Sequence, residues 1–420
     1  PKKDSHISHN ERHAPENPFE VRRWAFDVRC FPSSDSIPFC PPAFLVVSIK
    51  ARGSIRAVFG KVFSALIQRT VAQICRFASL AAILTLAPAA IAQSNNLYSA
   101  VGVTNSPARA RVVIVHDPDA TDAFQPRPTR VRAMVDRGVI AVTGKSKVAD
   151  AWLSLISTND TVGIKVFSEP GPNSGTRPAV VAAVIQELLE AGLPPKQIIV
   201  WDKHQTDLRL AGYFDLAKRF GVRVGGSAEA GYDEKVFYDT PLLGNLVWGD
   251  LEFQKKGEGV GRKSFVSKLV TTQMTKIVNI TPLMNNNEAG VFGNLYSLAS
   301  GSVDNTARFE SDPARMASAI PEIYALPALS DHVVLNITDA LICQYLGEER
   351  SLLHYSAILN QLRFSRDPVA LDVLSLQELD RQRQAAKEPT IKFDPDLYSN
   401  AALLELGVSD IKNIDVTKIP

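Results

Sequence analysis

Three consecutive pieces decide the fold: Asp160-Thr-Val-Gly-Ile-Lys-Val166, then Val180-Val-Ala-Ala-Val-Ile-Gln-Glu-Leu-Leu-Glu190, then Gln197-Ile-Ile-Val-Trp-Asp202. The first and third are short runs rich in β-branched residues, suited to strands buried on both faces. The second carries apolar residues at helical spacing, opens at Pro178 and is stopped by Gly192 and Pro194. A strand, a helix and a second strand joined by short connections predict parallel strands with the helix as crossover.

The rhythm continues in both directions. Upstream, Arg111-Val-Val-Ile-Val-His116 reads as a strand. Helical spacing follows at Val131–Arg137 and after Lys147, where Val148, Trp152, Leu155 and Ile156 share a face. Downstream, Asp207 to Phe220 predicts one helix closed by Gly221, and Val222-Arg-Val224 follows. Residues 225–269 loosen into Gly, Asp and Lys with short alternating pieces, which predicts an inserted β-rich excursion. Strands resume at Thr275–Ile280, Asp331–Ile337 and Ala357–Phe364, with helices at Pro313–Ile323, Asp367–Arg383 and Leu397–Leu406. The expected class is α/β: a mostly parallel sheet with helices on both faces and an inserted excursion.

Composition agrees with a globular chain. Its 420 residues carry 46 basic and 44 acidic side chains and are 45% hydrophobic. These figures exclude a disordered chain, a collagen-like repeat and a polytopic membrane protein. The net charge of +2 conceals two unlike parts: residues 1–92 hold 12 Lys and Arg against 6 Asp and Glu, and residues 93–420 hold 34 against 38.

That asymmetry has a reading. Residues 1–55 show neither period and are expected to be unstructured or a non-native upstream extension, since the chain starts at Pro1 and has no methionine before Met134. Arg56, Lys61, Arg69 and Arg76 then lead into the apolar run Phe77–Ala87, followed by Pro88 and Ala90-Ile91-Ala92. A basic flank, an apolar centre of about 7–15 residues and a small-x-small ending form a secretory signal. The expectation is a signal over 56–92, cleavage after Ala92 and a periplasmic or secreted domain over 93–420. The run falls short of the roughly 20 residues of a membrane span, so no span is expected in the mature chain.

Cys30, Cys40 and Cys75 lie before that cleavage point, leaving Cys343 alone in an apolar setting. One cysteine supports no disulfide and no iron–sulfur cluster, and an inert buried thiol is expected. A mildly acidic mature chain gives no support to nucleic-acid binding.

In open parallel sheets, ligands lie beyond the carboxyl ends of the strands. After the strand at 160–166 come Lys165, Ser168 and Glu169, then Gly171-Pro-Asn-Ser-Gly-Thr-Arg-Pro178 entering a helix. Ser174, Gly175, Thr176 and Arg177 there suit an anion at a helix N-terminus; the same Thr and Pro suit plain capping, with Thr176 near N-cap. After the strand at 197–202 come Asp202, Lys203 and His204, with Asp207 close behind. Asp202 and His204 read as general base and orienter, as two metal ligands, or as a turn cap and a solvated imidazole. The densest polar run follows Ile280: Asn285, Asn286, Asn287, Glu288 and Asn294, read as a polar loop whose only acid–base group is Glu288. Asn336 and Asp339 end the strand at 331–337, and Asp367 before Pro368 reads as a helix cap.

Taken in order, Val162–Lys165, Gly175–Pro178, Lys276–Pro282, Gly290–Leu295, Gly301-Ser-Val303, Leu335–Ala340 and Asp367–Asp372 resemble the domain of unknown function 362 family over roughly residues 110–410. The resemblance implies an α/β scaffold with a site and no established reaction. Family members commonly place a lysine and a histidine after the strand near Pro282, and a lysine in the Gly-x-x-Gly segment. Here Asn285-Asn-Asn287 and Gly293-Asn-Leu-Tyr296 stand instead, and the iron–sulfur modules that the resemblance associates with some members do not transfer to a chain with a single cysteine after Ala92.

Two functions follow. One is an exported enzyme binding a small anionic or polyol substrate through Lys165, Arg177 and the Asn285–Asn294 segment, with Asp202, His204 or Glu288 moving protons. The other is a non-catalytic binding protein for a ligand or cation; a divalent metal on oxygen ligands such as Glu169, Asp202 or Asp339 leaves no sequence signature. Catalysis predicts that Asp202, His204 and Glu288 converge.

Overall fold

The computed structural model describes residues 109–240, 261–310 and 312–420. The proposed leader and its cleavage point lie outside them. Among the described residues, no helix is long and apolar enough to cross a membrane.

The decisive segment forms as the pattern dictates. Strand β1 (Ala110–His116) is followed by helices α1 (Pro128–Thr143) and α2 (Val148–Leu153). Strand β2 (Val162–Lys165) leads through a short turn of helix, α3 (Gly171–Ser174), to α4 (Pro178–Glu190) and then β3 (Ile198–Asp202). Every residue of β2 and β3 is buried, the expected state of parallel strands covered on both faces. The helix expected over 207–220 is two, α5 (Gln205–Leu210) and α6 (Tyr213–Phe220). Gly212 separates them at φ 86°, a left-handed conformation that ends one helix and starts another.

Strand β4 (Arg223–Gly226) lies parallel to β3, so Gly225 and Gly226 belong to the main sheet and not to the excursion. A short helix, α7 (Ser227–Ala230), follows. The excursion itself is an antiparallel ribbon of β5 (Tyr232–Asp239) and β6 (Lys263–Ser267). The rest of the chain adds β7 (Lys276–Asn286), β8 (Gly290–Val291), α8 (Asn294–Ser302), α9 (Ala307–Glu310), α10 (Pro313–Tyr324), α11 (Pro327–Ser330), β9 (Val333–Gln344), β10 (Ser356–Ser365), α12 (Pro368–Ala386), α13 (Asp396–Leu403) and β11 (Ile414–Ile419).

The main sheet runs in the order β11-β1-β10-β9-β7-β2-β3-β4, with β8 folded back on β7. Neighbours pair in parallel except at β10, which is antiparallel to both β1 and β9, and at the β7–β8 hairpin. Successive side chains of one strand feed opposite layers. Ile198 and Val200 of β3 join Val131, Val135, Val180 and Val184 beneath α1 and α4. Ile199 and Trp201 join Leu295, Leu298, Ile320 and Leu371 beneath α8, α10 and α12. The architecture is therefore an α/β fold of three layers, with helices on both faces of a mostly parallel sheet.

Two strands overrun their expected ends. β7 continues from Ile280 through Asn286, and β9 continues from Ile337 through Gln344. Reading apolar runs truncates them because Thr281, Asn285, Asn286, Thr338 and Asp339 are polar and yet almost wholly buried. Buried polar groups stay in a sheet when neighbouring elements satisfy their hydrogen bonds, and here most are satisfied, Asn279 Oδ1 and Gln344 Oε1 being left without a partner.

Candidate functional site

The ends of β2 and β3 create the centre of the site. Lys165 closes β2, is fully buried, and donates from Nζ to Asp202 Oδ1 at 2.7 Å, to the Val166 carbonyl at 2.6 Å and toward Ser297 Oγ at 3.1 Å. Asp202 closes β3, and its Oδ2 accepts from the Ser168 backbone N–H and hydroxyl, each at 2.7 Å. Burial pushes the Lys165 amine below the ordinary lysine range, and the Asp202 carboxylate opposes that fall.

The third wall is α8. Ser297, Ser300 and Gly301 fall on one side of this helix at i, i+3 and i+4 spacing. A Cβ on Gly301 would lie 2.4 Å from Lys165 Cε and 2.8 Å from Nζ. A glycine inside a helix costs about 0.5–1 kcal/mol relative to alanine, and this one makes the space in which the amine sits.

These elements enclose a cavity of about 260 Å³ lined by Phe167, Glu169, Asp202, Lys203, His204, Asp207, Tyr296, Ser297, Ser300, Gly301, Glu310 and Glu349. One side is aromatic: Phe167 stacks on Phe292 at 4.7 Å, and Tyr296 meets Phe292 edge-on at 5.2 Å. The rest is dominated by carboxylates. The Glu169 side chain is exposed as a whole, but its carboxyl is pushed up to about 7, first by partial withdrawal from water and then by Glu349, Asp207 and Asp202. Partial burial raises Asp207 and Glu349 too, with Asp202 adding to the first and Glu348 and Glu288 to the second. Lys203 donates to Thr306 Oγ1 at 2.7 Å. His204 stands exposed at the mouth, preceding α5.

The segment entering α4 is occupied by the chain's own groups. The N-cap is Arg177 and not Thr176. Thr176 Oγ1 instead accepts from the Phe167 N–H and donates to the Ile280 carbonyl, tying the loop to β7. Gly175 is needed because a Cβ there would lie 2.6 Å from the Phe167 carbonyl oxygen. The carboxylate at this helix entrance is Asp339. Its Oδ2 accepts the Arg177 N–H at 3.0 Å, and Arg177 Nη1 faces Oδ1 at 3.0 Å as a charge contact without hydrogen-bond alignment. Lys165 and Arg177 are thus both paired inside the protein.

The asparagines are structural in their contacts. Asn294 accepts at Oδ1 from Thr281, and its amide donates to Asp372 and Thr338. Asn336 accepts from Asn279 and donates to the Arg366 carbonyl. Asn285 Oδ1 accepts from the Glu348 N–H, the Asn287 N–H donates to Glu348 Oε1, and Ser174 bonds Ser351. Together these three fasten the 347–351 loop that carries Glu349 to the cavity. Glu288, in the β7–β8 turn, does not line it. The structure therefore brings Glu169, Asp202 and His204 together and leaves Glu288 aside.

Sequence reading passed over Ser297, Glu310 and Glu349, and named Asp372 only within the segment Asp367–Asp372. Asp372 accepts from the backbone N–H groups of Asn294 and Leu295, capping α8 from another helix; burial pushes it up to about 7 against those bonds. A cap 78 residues away has no local signature. Asp367, by contrast, caps its own helix at Ala370 as its position before Pro368 predicts. Cys343 is buried and its thiol pushed up to about 12 by that burial, as an inert thiol should be.

Among the described residues, no three His, Cys, Asp or Glu side chains converge closely enough to hold a metal ion. In comparison with known proteins, no family model and no curated protein matches the chain. What fold and site define together is a class: an α/β protein with a carboxylate-rich, aromatic-backed cavity at the carboxyl ends of its central strands.

Proposed function

We propose that this chain binds a small, hydroxyl-rich ligand in the cavity beyond β2 and β3, and acts on it as an acid–base enzyme of the cell envelope. One observation carries the reading. At the place where open α/β sheets take ligands, five carboxylates and two serines meet in a cavity large enough for a small molecule. Such a lining offers acceptors to a ligand's hydroxyl donors. The anionic ligand loses support because Lys165 and Arg177 are already neutralised by Asp202 and Asp339. Glu169 and His204, at the mouth, are the groups that exchange protons between ligand and solvent.

The scaffold reading rests on the ordered resemblance to the domain of unknown function 362 family, and the envelope location rests on the signal pattern ending at Ala92. A second reading, non-catalytic cation binding, is favoured by the excess of carboxylates over Lys203 and His204 in the lining.

Native mass spectrometry and metal analysis of the purified full chain test both. A stoichiometric polyol or sugar, released by Glu169→Gln, is the expected result. A retained anion, or an empty cavity that takes no polyol in calorimetric titration, would overturn the first reading. A stoichiometric divalent ion without an organic ligand would replace it with the second.

A further inference from the structure

The contacts around Lys165 contain more than an ion pair. Ser297 Oγ is 3.1 Å from Nζ, and Nζ is 2.7 Å from Asp202 Oδ1. This is the spatial pattern of nucleophile, base and orienting group, which is recognised by geometry and not by order in the chain. Ser297 and Asp202 both line the cavity, and Lys165 sits immediately behind them in the space left by Gly301.

We propose that Ser297 is the nucleophile of a carboxylic-ester hydrolase site, with Lys165 as its general base and Asp202 as the residue that positions the lysine. The proposal rests on the reading of the cavity as the ligand site and names the reaction there. On losing one proton, the Lys165 amine keeps two N–H bonds, which match the Val166 carbonyl and Asp202 Oδ1. Its lone pair is then directed at the remaining neighbour, the Ser297 hydroxyl. Burial favours that uncharged form.

In the first half-reaction the Ser297 proton passes to Nζ as Oγ bonds the acyl carbon. The bond from that carbon to the alcohol oxygen breaks, and the departing oxygen takes the proton from Nζ. In the second, water attacks the acyl carbon and gives its proton to Lys165. The Oγ–acyl bond breaks, Oγ recovers the proton, and a carboxylic acid leaves. Lys203, with two N–H bonds beyond the one it gives Thr306, is the cation placed to face the developing oxyanion. The small volume limits the acyl group, and Phe167 and Tyr296 supply its apolar wall.

The test uses the full chain and a small alkyl fluorophosphonate, read by intact mass and peptide mapping. One adduct per chain is expected, on Ser297, with none in Ser297→Ala. The labelling rate should rise with pH through a single step below the ordinary lysine range. Lys165→Gln, provided its near-ultraviolet circular dichroism matches the wild type, should label about 10²–10⁴-fold more slowly. Should it not fold, the pH profile of the wild-type chain decides. An unmodified wild type, or equal labelling of Ser297→Ala, overturns the proposal. A chain that retains a polyol but resists the probe keeps the ligand site and loses the nucleophile. A chain labelled on Ser297 that takes no polyol does the reverse.

Discussion

Lys165 and Asp202 end adjacent parallel strands and meet at 2.7 Å, with side-chain exposures of 0% and 7%. A buried pair of this kind is weak evidence for stability, because desolvating both charges offsets much of their attraction. Its meaning is positional. The pair is tied to Val166, Ser168 and Ser297, and so fixes the floor of the cavity to two strands and a helix at once.

Removing one partner should expose that dependence. Lys165→Met leaves the Asp202 carboxylate buried with only the Ser168 donors, and the expected loss is about 3–5 kcal/mol in urea unfolding at pH 7. Adding Asp202→Asn should recover part of it. A double variant no more stable than the single one would show that the pair's charge is not what holds this region.

The glycine opposite the amine makes a narrower prediction. In Gly301→Ala the new methyl occupies the Lys165 site, and the lysine tail, held by three partners, has nowhere to go. The expected cost is about 1–3 kcal/mol of overpacking, even though alanine is the better helix former. A rise in thermal stability would mean that the lysine swings aside without penalty.

A titration far from the site lowers stability toward alkaline pH. Glu187 is fully buried in α4, accepts from Trp152 Nε1 at 2.6 Å, and is pushed up to about 9, first by burial and then by a shared hydrogen bond with Asp136. A carboxyl raised on folding holds its proton in the native state and loses it in the unfolded state above about 4.5. Stability therefore falls as pH climbs from about 4.5 to about 9. Glu187→Gln keeps the acceptor and cannot ionise. The variant should match the wild type near pH 4 and exceed it increasingly toward pH 9 in thermal unfolding. A constant difference across that range would remove Glu187 as the cause.

The loop bearing Glu349 should loosen without global unfolding. Asn285→Ala deletes the acceptor of the Glu348 N–H, a loss of about 0.5–1.5 kcal/mol. Hydrogen exchange should quicken over residues 346–352 and little elsewhere. Uniform acceleration through β7 and β9 would instead place Asn285 in the core of the sheet's stability.

The sequence by itself determined the layers. Alternating strand and helix patterns around Asp160–Asp202 sufficed for a mostly parallel sheet covered on both faces, because local period and apolar burial are one constraint seen twice. It located Lys165, Asp202, Glu169 and His204, since the ends of buried strands are where polar side chains become conspicuous. Tertiary structure decided their partners. Arg177 finds Asp339, a residue 162 positions away, and Lys165 finds both Asp202 and Ser297. Glu349 reaches the cavity on a loop held by Asn285, Asn287 and Ser174, all distant in sequence. The same physics explains why the asparagines misled: a buried amide with distant partners and a surface amide in a turn have identical sequences. Hydrogen bonds and ion pairs across strands carry no periodic signature, so which charges are spent and which face the cavity was settled by the fold alone.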